Sequence, residues 1–290
     1  MRFAHLQRFV LAAVLTALVL LARPVAADVP ADPAGAYAMR FTVPLETLTA
    51  DFGLPPRYDP HEEGEIVYSR WYVMSSYPTA SRQVVAAWGP RARRYPAPTP
   101  PAGVDAVTWK RERVLAAAQK LIGYGYQHHH LPDFDPGPGW PWRKVATGRN
   151  GKGVDCSNFT AFCYNYALGM QLPTAIGSQS DMRDVEGLQV ASLELPPSRA
   201  GAPTPFERFT RVLAPGDLLF VRNRGERVAH VVIWVGANGA GCRDPLVIDS
   251  TDVDTADDKG QGIPHGVQLR PFRDGGRYHT LFDHAVRLIR

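Results

Sequence analysis

Two residues of this 290-residue chain have the types and the order that nucleophilic catalysis requires, Cys156 and His230. Cys156 opens an amphipathic segment that ends at Gly169, and His230 lies in a later apolar run typical of a strand. A cysteine in the first turn of a helix lies where unpaired backbone N–H groups and the helix dipole stabilise a thiolate. With a histidine as its base, this pattern predicts a cysteine hydrolase.

The elements that must position this pair follow from hydrophobic spacing. Apolar residues recur at helical intervals from Val114 to Ile122, and Gly123 ends that run. Gly169 is typical of a C-terminal cap on the Cys156 helix. A hairpin turn is predicted at residues 223–226. Helices followed by an antiparallel sheet predict an α+β fold. The candidate strands are residues 218–222, 228–235, 246–250, 267–271 and 284–289.

Residues 1–27 have the pattern of a secretory signal, with arginines, an apolar run and the small-residue cleavage site Val25-Ala26-Ala27. The run is short for a membrane span, so cleavage is favoured over a membrane anchor. Three of the 32 basic residues and none of the 28 acidic ones precede Asp28, so the mature chain is nearly neutral. We predict export to the periplasm, the cell surface or the medium, without nucleic-acid binding or a stable membrane span after cleavage.

The stretch between signal and helices, residues 28–101, is rich in proline and aromatic residues and lacks helical periodicity. Residues 65–73 are typical of a strand, and residues 95–101 of a stiff linker. We therefore predict a signal at 1–27, an accessory region with its linker at 28–101, and a catalytic domain at 102–290. The accessory region is compatible with a binding module, an inhibitory segment or a wrap around the catalytic domain.

Four motifs, taken in order, carry a resemblance to a known family. They are Gly153-Val154-Asp155-Cys156-Ser157 and residues 215–220, 230–236 and 266–269. In this order the chain from about residue 109 to its end resembles the NlpC-type cell-wall peptidases, which are papain-like cysteine hydrolases. The resemblance implies helices packed on an antiparallel sheet, with the nucleophile at a helix N-terminus.

The resemblance also implies catalytic roles. Cys156 is the nucleophile, His230 is the general base, and backbone N–H groups at the helix start stabilise the oxyanion. The family often carries a histidine on the next strand, where this chain has Asp249; a carboxylate can orient an imidazole by accepting its N–H. Asp249 is thus the predicted third member, although a strand-end aspartate also caps loops. Asp252 and His265 are the reserve candidates.

The same resemblance implies a substrate. Tyr126 matches the family's tyrosine that faces the nucleophile, and Asp155 and Ser157 match residues that recognise a free amino group. These features imply an endopeptidase that hydrolyses peptidoglycan stem peptides between D-glutamate and the diamino acid, with no cofactor and no metal. The alternatives are an amidase of the same group, which releases the stem peptide from muramic acid, and a non-catalytic wall-binding protein.

A long insertion, residues 131–153, precedes the Cys156 helix and contains Trp140 and Trp142. Its length predicts a wall of the substrate cleft, and the alternative is that its tryptophans pack against the accessory region. Three consecutive histidines, His128-His129-His130, are candidate ligands of a metal ion. Consecutive histidines point in different directions, and no Cys or His pair with ligand spacing accompanies them, so we favour a role in the pocket wall or in hydrogen bonding around the site.

Two remaining features involve cysteines and acidic residues. If a disulfide forms, Cys163 with Cys242 is the only pairing that leaves Cys156 free. Two free buried thiols are equally compatible with the sequence. The acidic run at residues 252–258 lacks the glycine and terminal glutamate of an EF-hand, which indicates a solvated loop.

Overall fold

The structure is a computed structural model, and it describes residues 37–52, 74–78, 83–88, 94–126, 154–199 and 201–290. Its helices are α1 (Leu45–Thr49), α2 (Ala106–Gln119), α3 (Cys156–Leu168), α4 (Ile176–Ser180), α5 (Phe206–Val212) and α6 (Arg277–Thr280). Its strands are β1 (Ala38–Met39), β2 (Met74–Pro78), β3 (Gln83–Trp88), β4 (Asp184–Val185), β5 (Leu188–Gln189), β6 (Ala191–Ser192), β7 (Leu218–Arg222), β8 (Val228–Gly236), β9 (Gly239–Ala240), β10 (Leu246–Thr251), β11 (Thr255–Ala256), β12 (Gly262–Ile263), β13 (Gly266–Pro271) and β14 (Phe282–Arg287).

A six-stranded antiparallel sheet carries the site, in the order β13-β10-β8-β7-β14-β6. The predicted hairpin turn joins β7 to β8, where the Asn223 side chain accepts the Gly225 N–H at 2.9 Å. The predicted strand at residues 284–289 begins and ends two residues earlier, as β14. Val286 pairs with Leu218, the first residue of β7, so the chain beyond β14 has little of β7 left to pair with.

Side chains of the central strands alternate between two apolar layers. In β8, Val231 and Ile233 belong to the core beneath α3, whereas Val232 and Trp234 belong to a second core on the opposite face. Because both faces are covered, the strand reads as a continuous apolar run rather than an alternating one. The helix that begins at Cys156 is buried along its whole length, between α2 and the sheet. The predicted α+β class is confirmed: helices pack on an antiparallel sheet, and Cys156 lies at a helix N-terminus.

The helix predicted up to Ile122 ends earlier, because α2 stops at Gln119 and residues 121–123 form a turn. The turn lets the chain run beside β13, where Gly123 N–H donates to Val267 O at 2.9 Å and Val267 N–H donates to Tyr124 O at 2.8 Å. These contacts satisfy backbone groups that a further helical turn would have used internally. The long-range pairing therefore decides where α2 ends.

Two adjacent buried charges on α2 bind the N-terminal segment, residues 37–52. The Glu112 carboxylate accepts the backbone N–H groups of Thr42 and Val43, each at 2.9 Å. Arg113 donates to Ala167 O at 2.6 Å and forms an ion pair with Asp51 at 2.6 Å. The segment thereby supplies the polar partners that these two side chains need inside the protein.

Residues 94–101 also contact helix α3. The Tyr95 ring packs edge-on against Tyr166 of α3, with centroids 4.8 Å apart, and its backbone N–H donates to Asn165 Oδ1 at 3.3 Å. Residues 31–290 form one compact unit. The predicted boundary at residue 101 stays a prediction, since much of the region before it lies outside the described residues. Within the described ranges, no helix is both long and apolar enough to cross a membrane.

Candidate active site

Cys156 is the first residue of α3, as predicted, and the preceding residue caps the helix. The Asp155 side chain accepts the Asn158 backbone N–H at 2.9 Å and contacts the Asn158 amide with both carboxylate oxygens. Gly169 ends the helix in the left-handed conformation, with φ of 70°. The Cys156 side chain is largely buried, at 7 % exposure. The sulfur therefore lies beside the free N–H groups of a capped helix start.

His230 and Asp249 lie on neighbouring strands, β8 and β10. The two strands are antiparallel, and His230 is near the start of one while Asp249 is near the end of the other, so both residues lie toward the same end of the sheet. His230 Nε2 lies 2.6 Å from Asp249 Oδ2. The Cys156 side chain lies near enough to the same imidazole to raise its pKa. The structure thus brings Cys156, His230 and Asp249 together in that order.

The electrostatics of this trio favour a charged imidazole. Burial by itself lowers the pKa of His230, but the negative charges of Cys156 and Asp249 outweigh it and raise the pKa to about 9. Burial would raise the pKa of Asp249, yet the charge of Arg270 and the His230 contact lower it below its ordinary value. A carboxylate, an imidazolium and a nearby sulfur are the arrangement from which a thiolate nucleophile can react.

Two partners of Asp249 were not predicted from the sequence. Arg270 Nε donates to Asp249 Oδ1 at 2.8 Å, and Tyr278 Oη donates to Asp249 Oδ2 at 2.8 Å. Both side chains are buried. An arginine inside a strand next to a strand that carries an aspartate was the available signal, because a buried guanidinium needs an anionic partner.

The reserve candidates lie elsewhere. His265 is 44 % exposed and pairs with Asp254, 3.1 Å from its Nδ1. Asp252 is exposed, and its charge acts on Tyr126. In the structure the carboxylate that contacts His230 is therefore Asp249.

Tyr126 lies in the electrostatic field of Cys156. Burial raises its pKa, and the negative charges of Asp155, Cys156 and Asp252 raise it further. The phenol therefore stays protonated and can donate a hydrogen bond. Its predicted contact with substrate stays a prediction.

The other two predicted substrate-binding residues have partners within the fold. Asp155 is 6 % exposed and caps α3, while Ser157 is 4 % exposed and donates its hydroxyl proton to Thr174 O at 2.7 Å. These contacts give both residues a structural role. Recognition of a substrate amino group by either side chain stays a prediction.

The motif at residues 215–217 has a structural role. Asp217 accepts the Ala214 N–H at 2.8 Å and forms an ion pair with Arg287 at 2.6 Å. Gly216 adopts a φ of 87°, which favours glycine, and its carbonyl oxygen accepts the Tyr164 hydroxyl. The motif therefore fixes the entry into β7, away from the trio.

Several predictions concern residues outside the described ranges. These are the signal at 1–27, the triple histidine at 128–130 and the insertion at 131–153 with Trp140 and Trp142. All three cysteines are described and all are free, so the pairing of Cys163 with Cys242 is not formed. In the ranges that the structure covers, no cluster of three His, Cys, Asp or Glu side chains could hold a metal ion.

Comparison with known proteins adds a family match. The model of the NlpC/P60 family matches residues 143–241, which include Cys156 and His230. Members of this family are generally cysteine peptidases that act on peptidoglycan. No curated protein matches the sequence.

Three solved structures share the family description. An NlpC/P60 family protein from Bacillus cereus is 18 % identical, with 67 % of this chain and 42 % of that chain covered and a TM-score of 0.37. A lipoprotein-like NLP/P60 family protein from Staphylococcus aureus is 20 % identical, with 67 % and 45 % covered and a TM-score of 0.35. The NlpC/p60 domain of the peptidoglycan hydrolase SagA is 18 % identical, with 61 % and 97 % covered and a TM-score of 0.32.

The chain spans less than half the length of the first two structures. The family model, which covers the cysteine helix and the histidine strand, carries the assignment. Residues 143–241, which include Cys156 and His230, are therefore similar to the NlpC/P60 family.

Proposed function

We propose that the protein is an exported cysteine peptidase that hydrolyses peptidoglycan stem peptides between D-glutamate and the diamino acid. The observation that carries the proposal is the contact series from Cys156 through His230 to Asp249, within a family of cell-wall peptidases. The scissile bond comes from the family resemblance. Export rests on the signal-like residues 1–27.

The reaction begins from a thiolate on Cys156 and an imidazolium on His230. The thiolate attacks the scissile carbonyl carbon, and the oxyanion forms beside the backbone N–H groups at the start of α3. The Asn158 N–H is already bonded to Asp155, so the Cys156 N–H is the donor that we assign to the oxyanion. Because a helix start concentrates positive potential, this position stabilises the developing charge.

The imidazolium then completes the two half-reactions. It transfers a proton to the leaving amine, the C–N bond breaks, and the acyl group stays on sulfur as a thioester. Neutral His230 next takes a proton from water, and the resulting hydroxide displaces the thiolate and releases the carboxylic acid. Asp249 holds the ring through Nε2, which leaves Nδ1 for the sulfur side.

The experiment is digestion of purified muropeptides, with the products identified by mass spectrometry. The endopeptidase releases a fragment whose new amino terminus belongs to the diamino acid. An amidase instead releases the stem peptide with a free alanine amino terminus. Cys156→Ala should abolish either reaction and keep the fold, because alanine suits the helix. Turnover by Cys156→Ala, or inactivation by a chelator with recovery in zinc, would contradict the cysteine mechanism.

A further inference from the structure

The carboxylate of Asp249 is completely buried and receives donors from three elements. His230 of β8 and Tyr278 of α6 both contact Oδ2, at 2.6 and 2.8 Å, while Arg270 of β13 contacts Oδ1 at 2.8 Å. A carboxylate with contacts on both oxygens has one orientation available. The plane of the group, and with it the direction of the bond to the imidazole, is therefore set by residues outside the trio.

The guanidinium of Arg270 is fixed as firmly as its target. Its Nη1 donates to Thr255 Oγ1 at 2.6 Å, and its Nη2 donates to the carbonyl oxygens of Pro264 at 2.9 Å and Gly266 at 3.2 Å. Gly266 has a φ of 87°, and a Cβ atom there would lie 2.2 Å from Tyr124 O. This close approach holds the loop that carries two of the acceptors against the chain that leads to Tyr126.

The sheet register explains why Arg270 reaches Asp249. Arg270 lies opposite Val247 in the pairing of β13 with β10. Asp249 is two residues further along β10, so its side chain points to the same face of the sheet as Val247 and Arg270. The contact is a diagonal cross-strand pair, built by the strands rather than by a loop.

Charge balance gives this contact a chemical consequence. A buried aspartate beside a histidine has two arrangements of one proton, a carboxylate with an imidazolium or a carboxylic acid with a neutral ring. The low polarity of the protein interior favours the neutral pair, the carboxylic acid with the neutral ring. A buried cation beside the carboxylate favours the charged pair, the carboxylate with the imidazolium. Only the charged pair leaves an imidazolium for Cys156. Arg270 is the buried cation in contact with Asp249.

We propose that Arg270 and Tyr278 are positioning residues that act through Asp249, so that His230 stays oriented and charged beside Cys156. This inference rests on the proposed function, since it assumes that His230 serves Cys156. Arg270 supplies the charge and Tyr278 supplies a neutral hydrogen bond. The Tyr278 ring also lies nearly parallel to the imidazole, with centroids 6.2 Å apart and an interplanar angle of 18°.

In the part of the chain that the structure describes, one further charged group acts on Arg270 and one on Tyr278. Asp254 acts on Arg270 from the loop after β10, and Arg277 acts on Tyr278 from the start of α6; both are solvent-exposed. On the Cys156 side, Asp155, Cys156 and Asp252 act on Tyr126, and Cys156 acts on His230. Solvent screens the two exposed charges, so Arg270 dominates the environment of Asp249.

The test follows the reactivity of the nucleophile and needs no peptidoglycan. The rate at which iodoacetamide alkylates Cys156 is measured from pH 4 to 10 in Arg270→Met, Arg270→Lys and Tyr278→Phe. We expect Arg270→Met to be alkylated about tenfold more slowly near pH 6.5, with its half-maximal rate at higher pH, because a charge change in contact shifts titration by a unit or more. Arg270→Lys should stay within about threefold of the wild type, because it retains the charge.

Tyr278→Phe removes one hydroxyl and keeps the ring, so it should fold normally and slow alkylation about threefold. The control is Arg273→Met, since Arg273 lies just after β13 and donates to Ala256 O rather than to Asp249. This variant should match the wild type at every pH. Wild-type alkylation profiles in both Tyr278→Phe and Arg270→Met would overturn the proposal.

A double-mutant cycle separates positioning from general structural support. If Arg270 acts through Asp249, Arg270→Met should change alkylation less than about twofold in an Asp249→Asn background. An undiminished effect there would overturn the proposal. If Arg270→Met alone does not fold, the double variant with Asp249→Asn removes both buried charges together. The alkylation profile of Tyr278→Phe then decides whether the proposal stands. A protein that gives these alkylation results but releases no muropeptide fragment would contradict the proposed substrate and leave the positioning roles standing.

Discussion

His230 Nε2 lies 2.6 Å from Asp249 Oδ2, and the two residues come from adjacent antiparallel strands of one sheet. The bond therefore depends on strand pairing, which orders both backbones. A loop residue such as Asp252 lacks this support. The group in contact with the His230 ring is therefore a carboxylate whose backbone belongs to the sheet.

Replacing Asp249 should slow the reaction without abolishing it. Asp249→Ala removes the group that orients the imidazole, so turnover should fall by about a hundredfold or more, and Asp249→Asn should fall less. The nucleophile and the oxyanion donors remain, so a residual rate should persist. Steady-state kinetics on a muropeptide measure the effect. Normal turnover in Asp249→Ala combined with a loss in Asp252→Ala or His265→Ala would assign the role to a reserve candidate.

Activity should fall above about pH 9. The pKa of His230 is raised to about 9, so the imidazolium that protonates the leaving amine is present below this pH and is lost above it. Asp249 raises this pKa, and Asp249→Ala should therefore move the alkaline limb toward lower pH. The measurement is kcat/KM against pH for both proteins. An alkaline limb at the same pH in both would show that His230 does not titrate there through Asp249.

Asp217 should matter for stability rather than for chemistry. Its carboxylate is 1 % exposed and pairs with Arg287 and with Arg111, so Asp217→Ala leaves two partly buried guanidinium groups without this anion. Unfolding free energy in urea should fall by about 3 kcal/mol. The control, Asp181→Ala, removes an exposed carboxylate and should change stability by less than about 0.5 kcal/mol. Equal stability of the two variants would show that the ion pairs at Asp217 contribute little.

Glu112 should hold the N-terminal segment on the catalytic core. Glu112→Ala removes the acceptor for the Thr42 and Val43 backbone N–H groups, so residues 37–52 should detach. Trypsin should then cleave after the exposed Arg40 at least several times faster, with a loss of about 2 kcal/mol in unfolding free energy. Glu46→Ala, which changes an exposed residue of the same segment, is the control. Unchanged cleavage at Arg40 in Glu112→Ala would show that other contacts anchor the segment.

Local chemistry in the sequence was enough to predict several elements. The amphipathic segment that begins at Cys156 and the glycine at 169 predicted α3, because helical spacing and a C-terminal cap depend on residues close in the chain. Asn223 and Gly225 defined the hairpin between β7 and β8 for the same reason. The segments that hold Cys156, His230 and Asp249 could be predicted as a helix and two strands, because each has a clear hydrophobic pattern.

Only the tertiary structure decided which distant groups meet. Arg270 and Tyr278 lie 21 and 29 positions from Asp249, and Glu112 lies about 70 positions from the backbone that it binds. Each pairing depends on strand register or helix packing, in which a shift of one residue turns a side chain to the other face. Amino-acid composition and hydrophobic periodicity do not indicate which of these distant residues will pair. The sequence alone predicted which groups could react, while packing determined their orientation and charge, because both depend on neighbours that burial brings together.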